Sequence, residues 1–230
     1  MIKSVRLIEN FLSWQGEGPD TGKLMLILRF KRCNRCCPWC DTQVKMRISN
    51  EAEYPLRDIQ AIVDEHNCGL MITGGEPTFG HNFNQTVSLI NEINAPFYNV
   101  ETNGFDLLKL IGKVHPDKNV RFMLSPKIFT VSKVGDEKDD DFYFYVGLTK
   151  KVIKNDNVFI KLVCEDRPLV HDYLNFLKEI KFPNLRVFLM PQGKTREELL
   201  SKPNAAIVTD LAEKYDFCIS GRMHIVSDFT

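Results

Sequence analysis

The sequence has no long apolar run and no excess of charge of either sign. No stretch approaches the roughly 18–20 consecutive apolar residues that a membrane-spanning helix needs. Lys plus Arg and Asp plus Glu number 30 each, which gives no indication of a general affinity for nucleic acid or anionic lipid. The first residues, MIKSVRLIENFLSW, lack the apolar core and cleavage site of a signal peptide. We therefore expect a cytoplasmic protein with no membrane partner and no direct nucleic-acid partner.

The sequence also lacks internal repeats and low-complexity segments. A chain of 230 residues has the size of one domain, so we expect a single domain over residues 1–230. Residues 135–141 form a charge-dense stretch, which predicts a solvated surface loop.

Strand-like and helix-like segments alternate along most of the chain. The apolar run at 24–30 is typical of a strand covered on both faces, and residues 56–67 have helical spacing after Pro55. The predicted strands are 24–30, 69–73, 97–101, 120–124, 158–163, 185–190 and 217–219. The predicted helices are 56–67, 83–93, 106–111, 142–150, 168–180, 195–200 and 205–215. Repeated strand–helix units predict an α/β fold with a parallel sheet and right-handed crossovers.

The number of strand–helix units favours an incomplete parallel (β/α)6-type barrel over a closed eight-stranded one. A flat doubly wound sheet is the alternative. In both folds ligands bind at the carboxyl ends of the strands. The polar residues predicted there are Arg29, Gly74, Gly75, Glu76, Glu101, Ser125 and Gln192. Their coincidence at one end of the sheet predicts an enzyme.

Four of the seven cysteines lie within residues 33–40. Cys33, Cys37 and Cys40 have the spacing C-x3-C-x2-C directly after the first buried strand. Three thiolates bind three irons of a [4Fe–4S] cluster and leave the fourth iron without a protein ligand. That iron can take the amino and carboxylate groups of methionine, and electron transfer to the adjacent sulfonium breaks a C–S bond. The spacing therefore predicts a cluster that cleaves S-adenosylmethionine.

A structural zinc site is the alternative interpretation of these cysteines. Cys33 with Cys36, and Cys37 with Cys40, form two C-x2-C pairs, and four thiolates make a closed tetrahedral site. However, Cys36 and Cys37 are adjacent, and no second pair follows at the distance of about 12–20 residues common in zinc modules. Cys36 has no predicted role. The three scattered cysteines, Cys68, Cys164 and Cys218, are predicted to be core or near-core thiols.

Two groups of polar residues at the predicted strand ends suit ligand binding. Gly74 and Gly75 allow close approach to the backbone, and the Glu76 carboxylate can accept hydrogen bonds from an ammonium group such as that of methionine. Arg29 ends an apolar strand, where a charge must be paired or face a cavity. It either binds a ligand carboxylate with its planar fork or forms an internal ion pair with Glu101 or Glu17.

Several further segments carry a resemblance to a known family. The chain resembles the radical S-adenosylmethionine enzymes and, within them, the 7-carboxy-7-deazaguanine synthase family of deazapurine (queuosine) biosynthesis. The matching segments are 11–19 (FLSWQGEGP), 29–34 (RFKRCN), 37–42 (CPWCDT), 73–77 (TGGEP), 101–104 (ETNG), 125–127 (SPK), 190–193 (MPQG) and 222–224 (RMH).

The resemblance implies a carbon–nitrogen lyase. The reaction is the ring contraction of 6-carboxy-5,6,7,8-tetrahydropterin to 7-carboxy-7-deazaguanine with loss of ammonia. It further implies Mg2+ as a third cofactor beside the cluster and S-adenosylmethionine. An external electron donor and a homodimer are the expected partners.

The resemblance also implies roles for individual residues. Substrate contacts are expected from Gln15, Gly16, Glu17, Arg29 and His224, with Glu101 as a catalytic residue. S-adenosylmethionine is expected to contact Gly74, Gly75, Glu76, Ser125, Lys127 and Gln192. Thr42 is the expected protein ligand of Mg2+, whereas Asp41 is interpreted as a helix N-cap. Two alternative functions are a glycyl-radical-activating enzyme, which shares the cysteine spacing, and a non-catalytic zinc-binding module.

Overall fold

The computed structural model describes residues 2–37, 40–128, 140–165, 167–193 and 195–226, without the side chains of Asp140 and His224. Its strands are β1 (Ser4–Leu7), β2 (Glu9–Trp14), β3 (Leu24–Phe30), β4 (Ala52–Pro55), β5 (Gly69–Gly74), β6 (Tyr98–Thr102), β7 (Val120–Leu124), β8 (Val158–Cys164), β9 (Val187–Pro191) and β10 (Cys218–Ile219). Its helices are α1 (Gln43–Ile48), α2 (Leu56–His66), α3 (Asn82–Glu92), α4 (Leu107–Ile111), α5 (Asp140–Val152), α6 (Pro168–Glu179), α7 (Arg196–Leu200), α8 (Lys202–Tyr215) and α9 (Met223–Val226). Short 3-10 turns cover Gly18–Asp20 and Asn184–Arg186.

One large sheet contains strands in the order β10-β9-β8-β7-β6-β5-β3-β2. Its neighbours pair in parallel except β2, which runs antiparallel to β3 at the edge. β1 and β4 form a separate antiparallel pair. Within the described ranges the two end strands do not pair with each other, so the barrel is incomplete, as predicted.

The local sequence explains where these elements begin and end. β3 has the sequence LMLILRF, an apolar run typical of a strand covered on both faces. α2 follows Pro55 and buries Leu56, Ile59 and Val63 along one face. It ends where Asn67 adopts the left-handed conformation with φ of 45°.

The hydrophobic core lies between the helices and the outer face of the sheet. Side chains alternate between the two faces of each strand, so β8 directs Ile160 and Leu162 into this core and Lys161 to the inner face. Glu101 occupies the corresponding inner face of β6. The inner face is therefore polar where the outer face is apolar.

Asp20 closes the amino-terminal end of the inner face. Its side chain is fully buried, and Oδ1 accepts hydrogen bonds from Lys23 Nζ at 2.8 Å and Arg121 Nη1 at 2.5 Å. Asn99 Nδ2 lies 3.3 Å from Oδ2. Asn99 and Arg121 lie near the starts of β6 and β7, so this network forms the floor of the barrel and leaves the carboxyl ends for a ligand.

All of the predicted strands and helices are present, with ends displaced by at most three residues. The sequence does not predict β1, β2, β4, α1 or α9. α1 buries none of its residues, so it has no apolar face to recognise, and β2 lies at the sheet edge. The loop predicted at 135–141 is wrong for Asp140 and Asp141, which belong to α5, and residues 135–139 lie outside the described residues.

The scattered cysteines follow the prediction in two of three cases. Cys68 and Cys164 are buried in the core, whereas Cys218 is only half-buried because β10 lies at the sheet edge. No helix in the described ranges is both long enough and apolar enough to cross a bilayer.

Candidate active site

A cavity of about 570 Å³ lies at the carboxyl ends of the parallel strands. Every predicted site residue whose side chain the structure describes lines it: Gln15, Gly16, Glu17, Arg29, Cys33, Cys37, Cys40, Thr42, Gly74, Gly75, Glu76, Glu101, Ser125, Lys127 and Gln192. His224 belongs to α9, but its side chain is outside the described part of the chain. The structure thus brings residues from the whole length of the chain together in one cavity.

The loop after β3 carries the thiols of Cys33, Cys37 and Cys40 to the cavity. None of the three forms a disulfide within the described part of the chain. The Arg35 N–H donates to Cys33 Sγ at 3.4 Å, and the Cys40 N–H donates to the Cys37 carbonyl at 3.1 Å. Backbone hydrogen bonds therefore fix the course of the loop around the sulfur atoms.

Burial raises the pKa of Cys33 to about 11. It also raises the pKa of Cys37, where the charges of Lys127 and Arg35 oppose the shift in part. Iron binds the thiolate, so a cluster that binds here releases the thiol protons. Three thiols that line one cavity and form no disulfide among the described residues fit a cluster with three protein ligands.

The first residues of α1 and its N-cap contact two sulfur atoms of the loop. Gln43 Nε2 donates to Sγ of Cys36 at 3.0 Å, and the Thr42 hydroxyl lies 3.3 Å from Cys40 Sγ. Among the described residues, no three or more His, Cys, Asp or Glu side chains are arranged around a single metal position. α1 is thus attached to the cysteine loop through Thr42 and Gln43.

Glu76 organises the loops on this side of the cavity and is only 1% exposed. Its Oε1 accepts hydrogen bonds from the Thr78 N–H at 3.0 Å and from the hydroxyls of Thr78 and Thr102, both at 2.6 Å. Its Oε2 accepts from the Asn103 N–H at 2.6 Å. Burial raises the pKa of Glu76, although these hydrogen bonds act in the opposite direction. Both oxygens contact protein groups, and a contact with a cofactor ammonium group stays a prediction.

Glycine allows the cysteine loop to approach the end of β5. The Gly75 N–H donates to the Phe30 carbonyl at 2.8 Å, and the Glu76 N–H donates to the Arg32 carbonyl at 2.7 Å. A Cβ on Gly75 would overlap the Arg32 carbonyl. The sequence predicts that this glycine admits a ligand, but in the structure it is the protein's own backbone that approaches closely.

Two asparagines complete the support of the cysteine loop. Asn82 Nδ2 donates to the carbonyls of Arg32 at 3.1 Å and Glu76 at 3.0 Å. Asn103 Nδ2 donates to Asn34 Oδ1 at 2.8 Å. We call residues 33–40 together with Glu76, Asn82 and Asn103 the cysteine wall. Amide, hydroxyl and backbone groups around one carboxylate stabilise this wall.

Ion pairs stabilise another part of the cavity, formed by Glu17, Asp41, Glu101, Lys161 and Arg222, which we call the ionic wall. Lys161 Nζ lies 2.5 Å from Oε2 of Glu17 and 2.5 Å from Oε2 of Glu101. Arg222 Nε donates to Glu17 Oε1 at 3.0 Å, and Arg222 Nη2 donates to Asp41 Oδ2. The side chains of Lys161 and Arg222 are 6% and 9% exposed.

At Lys161, charge pairing affects the pKa more than burial does. Burial alone would lower the pKa of its ammonium group, but Glu101 and Glu17 hold this pKa above its usual value. Burial raises the pKa of Glu101, with Lys161 acting against the shift and Glu17 adding to it. Lys161 is therefore a permanent cation at neutral pH.

Arg29 forms an ion pair with Glu9. The sequence left two alternatives open, a ligand carboxylate or an internal ion pair with Glu101 or Glu17, and both of those glutamates pair with Lys161. The register of β2 and β3 places Glu9 directly opposite Arg29, with Nε and Oε1 2.5 Å apart. The partner named in the ion-pair alternative is wrong, because β2, the strand that carries Glu9, is not predicted from the sequence. Arg29 nevertheless lines the cavity.

Asp41 does not cap a helix. α1 begins at Gln43, with Thr42 at the N-cap position, and no side-chain hydrogen bond caps it. The carboxylate of Asp41 instead accepts a hydrogen bond from Arg222, which lies 181 residues away in the sequence. The N-cap interpretation is therefore wrong, because a distant cation binds the carboxylate.

The other predicted contact residues have local partners. Gln15 Oε1 accepts from the Glu17 N–H at 3.1 Å, and Gln15 Nε2 lies 3.6 Å from Met71 Sδ, a weak acceptor. Lys127 Nζ donates to the Ser125 hydroxyl at 2.7 Å. These contacts orient the side chains at the cavity.

Lys161, Arg222 and Asn103 line the cavity but are not among the predicted site residues. For Lys161 the signal was present, because it interrupts the apolar strand VFIKLVC, where a charge must be paired or face a cavity. The same reasoning identified Arg29. Asn103 and Arg222 lie in the segments 101–104 and 222–224 that carry the family resemblance, which is the signal that could have identified them, although their partners come from distant segments.

Comparisons with known proteins agree with this site. The family model of a 4Fe-4S single cluster domain matches residues 14–128, half of the 230-residue chain. A protein of Hyperthermus butylicus named 7-carboxy-7-deazaguanine synthase is 28% identical over 96% of this chain and 92% of its own length. A protein of the same name from Halobacterium salinarum is 27% identical over 94% of this chain and 88% of its own.

Two solved structures share the fold. QueE from Escherichia coli matches with a TM-score of 0.60 at 16% identity, over 95% of this chain and 93% of that one. SuiB from Streptococcus suis, bound to S-adenosylmethionine, matches with a TM-score of 0.53 at 16% identity, over 89% of this chain and 54% of that one. The family match contains the whole cysteine wall and favours the iron–sulfur interpretation over zinc. The chain therefore belongs to the 4Fe–4S single cluster domain family, and two relatives that it matches over nearly its whole length carry the name 7-carboxy-7-deazaguanine synthase.

Proposed function

We propose that the protein is a 7-carboxy-7-deazaguanine synthase. It converts 6-carboxy-5,6,7,8-tetrahydropterin to 7-carboxy-7-deazaguanine and releases ammonia. The main support is one cavity lined by the thiols of Cys33, Cys37 and Cys40 together with carboxylate, amide and guanidinium groups able to bind a small polar heterocycle. Two full-length relatives that carry the name of this activity add to it.

Cys33, Cys37 and Cys40 would hold the [4Fe–4S] cluster. When bound, the cluster supplies the electron that cleaves S-adenosylmethionine. The cysteine wall supports this role because its hydrogen bonds attach the loop to the ends of β5 and β6. A cluster loop attached in this way stays in one position relative to the rest of the cavity.

The residues proposed for S-adenosylmethionine are Gly74, Gly75, Glu76, Ser125, Lys127 and Gln192. All line the cavity at the carboxyl ends of β5, β7 and β9. Lys127 supplies a cation suited to a methionine carboxylate, and the Ser125 hydroxyl, 2.7 Å from Lys127 Nζ, orients it. The strand ends supply carbonyl acceptors for the ammonium group.

Arg29, Gln15, Gly16, Glu17, Glu101 and His224 are proposed to bind the substrate. Arg29 donates from Nε to Glu9, and the other N–H groups of its guanidinium can donate to a substrate carboxylate. Gln15 presents an amide N–H2 group that, within the described part of the chain, lies near the weak acceptor Met71 Sδ. The amide donor and the carboxylates of the ionic wall are complementary to a ring edge with both N–H and carbonyl groups.

Thr42 is proposed as the protein ligand of Mg2+. Its hydroxyl is a neutral oxygen, which suits a cation that keeps several water ligands. The hydroxyl lies 3.3 Å from Cys40 Sγ, so a cation at Thr42 would lie beside the cluster and within the cavity. We further propose an external electron donor, a homodimer and a cytoplasmic location.

The function is tested with anaerobically reconstituted protein, dithionite, Mg2+, S-adenosylmethionine and 6-carboxy-5,6,7,8-tetrahydropterin. We expect 7-carboxy-7-deazaguanine and ammonia in equal amounts, measured by chromatography and an enzymatic ammonia assay. A matched sample with Cys37→Ala should form neither product. Cleavage of S-adenosylmethionine without ring contraction, under conditions that saturate both ligands, would contradict the proposed substrate.

A further inference from the structure

Lys161 holds two carboxylates of the ionic wall in fixed positions. Its Nζ lies 2.5 Å from one oxygen of Glu17 and 2.5 Å from one oxygen of Glu101. β8 contributes Lys161 from the inner face of the sheet, and the side chain is 6% exposed. A buried ammonium group with two carboxylate partners has little freedom to rotate, and neither have its partners.

Glu17 and Glu101 differ in the partner of the carboxylate oxygen that does not contact Lys161. Glu17 Oε1 accepts a hydrogen bond from Arg222 Nε at 3.0 Å, so each oxygen of Glu17 contacts a cation. Glu101 Oε1 is buried and has no hydrogen-bond partner among the described residues. Its side chain is 10% exposed and lines the cavity. Glu101 therefore presents an acceptor that lacks a donor, whereas Glu17 does not.

An unpaired buried carboxylate oxygen is unfavourable unless a ligand supplies the donor. We propose that Lys161 is a positioning residue that fixes Glu101 so that Oε1 accepts an N–H hydrogen bond from the substrate ring. Glu17, whose two oxygens pair with Lys161 and Arg222, contributes to binding but does not set the choice between an amino and an oxo group on the ring. This inference rests on the proposed function and names the group of the substrate that is selected. That group is the N–H-rich side of a 2-amino-4-oxopyrimidine ring.

The position of Lys161 predicts how the amide of a glutamine at position 101 would be oriented. Lys161 requires an oxygen as its partner, because an ammonium group only donates hydrogen bonds. In Glu101→Gln the amide oxygen therefore turns to Lys161 and the amide N–H2 takes the place of Oε1. An acceptor for the substrate becomes a donor. The variant should then prefer a ring with a carbonyl at this position over a ring with an amino group.

The test compares two stable probes, pterin-6-carboxylate and lumazine-6-carboxylate, which differ by an amino or an oxo group at ring position 2. Kd values are measured by anaerobic equilibrium dialysis against the reconstituted protein with S-adenosylmethionine, using the fluorescence of each probe. The wild type should bind the amino probe about tenfold or more tightly than the oxo probe, since a hydrogen bond to a charged group is exchanged for acceptor–acceptor repulsion. Glu101→Gln should reduce this ratio to one or invert it.

Glu17→Gln is the matched control. Both oxygens of Glu17 contact cations of the protein, so this variant should keep the wild-type preference even if both probes bind more weakly. Lys161→Met should lose the preference, because Glu101 is no longer fixed. Should that variant fail to fold, Lys161→Met/Glu17→Gln removes one charge of each sign and preserves the net charge of the wall. The double variant should also lose the preference.

Each outcome separates this inference from the proposed function. Loss of the preference in Glu17→Gln, or a wild-type ratio in either Lys161 variant, overturns the roles assigned here. Equal binding of the two probes by the wild type, together with normal ring contraction, overturns this inference and leaves the function intact. Failure of the wild type to form the product overturns both, whereas product formation without measurable binding of either probe overturns this inference alone.

Discussion

The cysteine wall and the ionic wall belong to one cavity but are stabilised by different interactions. In the cysteine wall, Glu76 accepts hydrogen bonds from neutral hydroxyl and backbone groups, and amides of Asn82 and Asn103 hold the loop. In the ionic wall, Lys161 and Arg222 pair with carboxylates at distances near 3 Å or less. The hydrogen bonds of the cysteine wall therefore hold the backbone of a loop in place, whereas the ion pairs of the ionic wall hold charged side chains in place.

This difference fits what each wall has to bind. A cluster on three thiols needs its loop in one position, and hydrogen bonds from amide and hydroxyl groups to backbone and side-chain acceptors provide that. A small polar heterocycle needs donors and acceptors in a fixed pattern. Buried ion pairs provide such a pattern, because removing either partner leaves an uncompensated charge.

Arg222 connects the two regions. It pairs with Glu17 and with Asp41, which follows Cys40 directly, and it also donates to the Gly193 carbonyl after β9. The adjacent α9 is attached to the Gln15–Glu17 segment by a hydrogen bond from the Met223 N–H to the Gly16 carbonyl at 3.1 Å. The position of the substrate residues thus depends on a residue near the end of the described chain.

The largest effect is expected from removing a cluster ligand. Cys33→Ala, Cys37→Ala and Cys40→Ala should each abolish cluster binding, because each thiol would hold one iron. Iron content and the absorbance of the brown protein after anaerobic reconstitution measure this. Cys36→Ala is the matched control and should retain the iron, since Cys36 has no predicted ligand role. Iron retained in Cys37→Ala but lost in Cys36→Ala would contradict the ligand assignment.

Breaking the ionic wall should have the next largest effect. Arg222→Met leaves Asp41 without its cation and removes one of two cations from Glu17, and we expect a loss of about 3 kcal/mol in the free energy of unfolding. Urea unfolding of the cluster-free protein measures it. Arg222→Lys keeps the charge but loses the several N–H donors of the guanidinium, so the free energy of unfolding should fall by a smaller amount. Equal stability of Arg222→Met and wild type would show that the wall contributes nothing to folding.

Disrupting the cysteine wall should lower the free energy of unfolding less than disrupting the ionic wall does, and it should lower the cluster occupancy more. In Glu76→Gln the amide nitrogen must face either the Asn103 N–H or the donors of Thr78 and Thr102, which leaves donors opposed and costs about 1–3 kcal/mol. Cluster occupancy should fall as well. Asp20→Asn is the matched control, because Asp20 is also a buried carboxylate but lies at the barrel floor. It should lose stability and keep its iron; iron loss in both variants would refute a specific role for Glu76.

The two walls also differ in how far the sequence predicts them. The cysteine spacing and the apolar strands are local patterns, so they predict the cluster loop and the parallel strands. The ionic wall depends on contacts between residues far apart in the chain, such as Asp41 with Arg222, and these require the folded barrel. Arg29 shows the same limit. Its need for a partner is predictable, but the partner Glu9 lies on an edge strand with no clear pattern.

The smallest effect on the protein itself is expected at Thr42, where the two walls meet. Thr42 lies between Asp41 of the ionic wall and α1, and its hydroxyl is 3.3 Å from Cys40 Sγ. The side chain makes no capping hydrogen bond, so Thr42→Ala should leave folding and the cluster spectrum unchanged. If the hydroxyl is the ligand of Mg2+, the variant should lose the Mg2+ dependence of ring contraction.

Thr42→Ser separates the two possible roles of this side chain. Serine keeps the oxygen but loses the methyl group, so it should retain the response to Mg2+ if the oxygen binds the metal. A packing role predicts the opposite, because the methyl group would matter and the hydroxyl would not. Ring-contraction rates titrated with Mg2+ for wild type, Thr42→Ser and Thr42→Ala decide between them. Parallel titration curves for Thr42→Ala and wild type would mean that the cation is held elsewhere, since a neutral oxygen ligand that is lost must weaken a hydrated Mg2+.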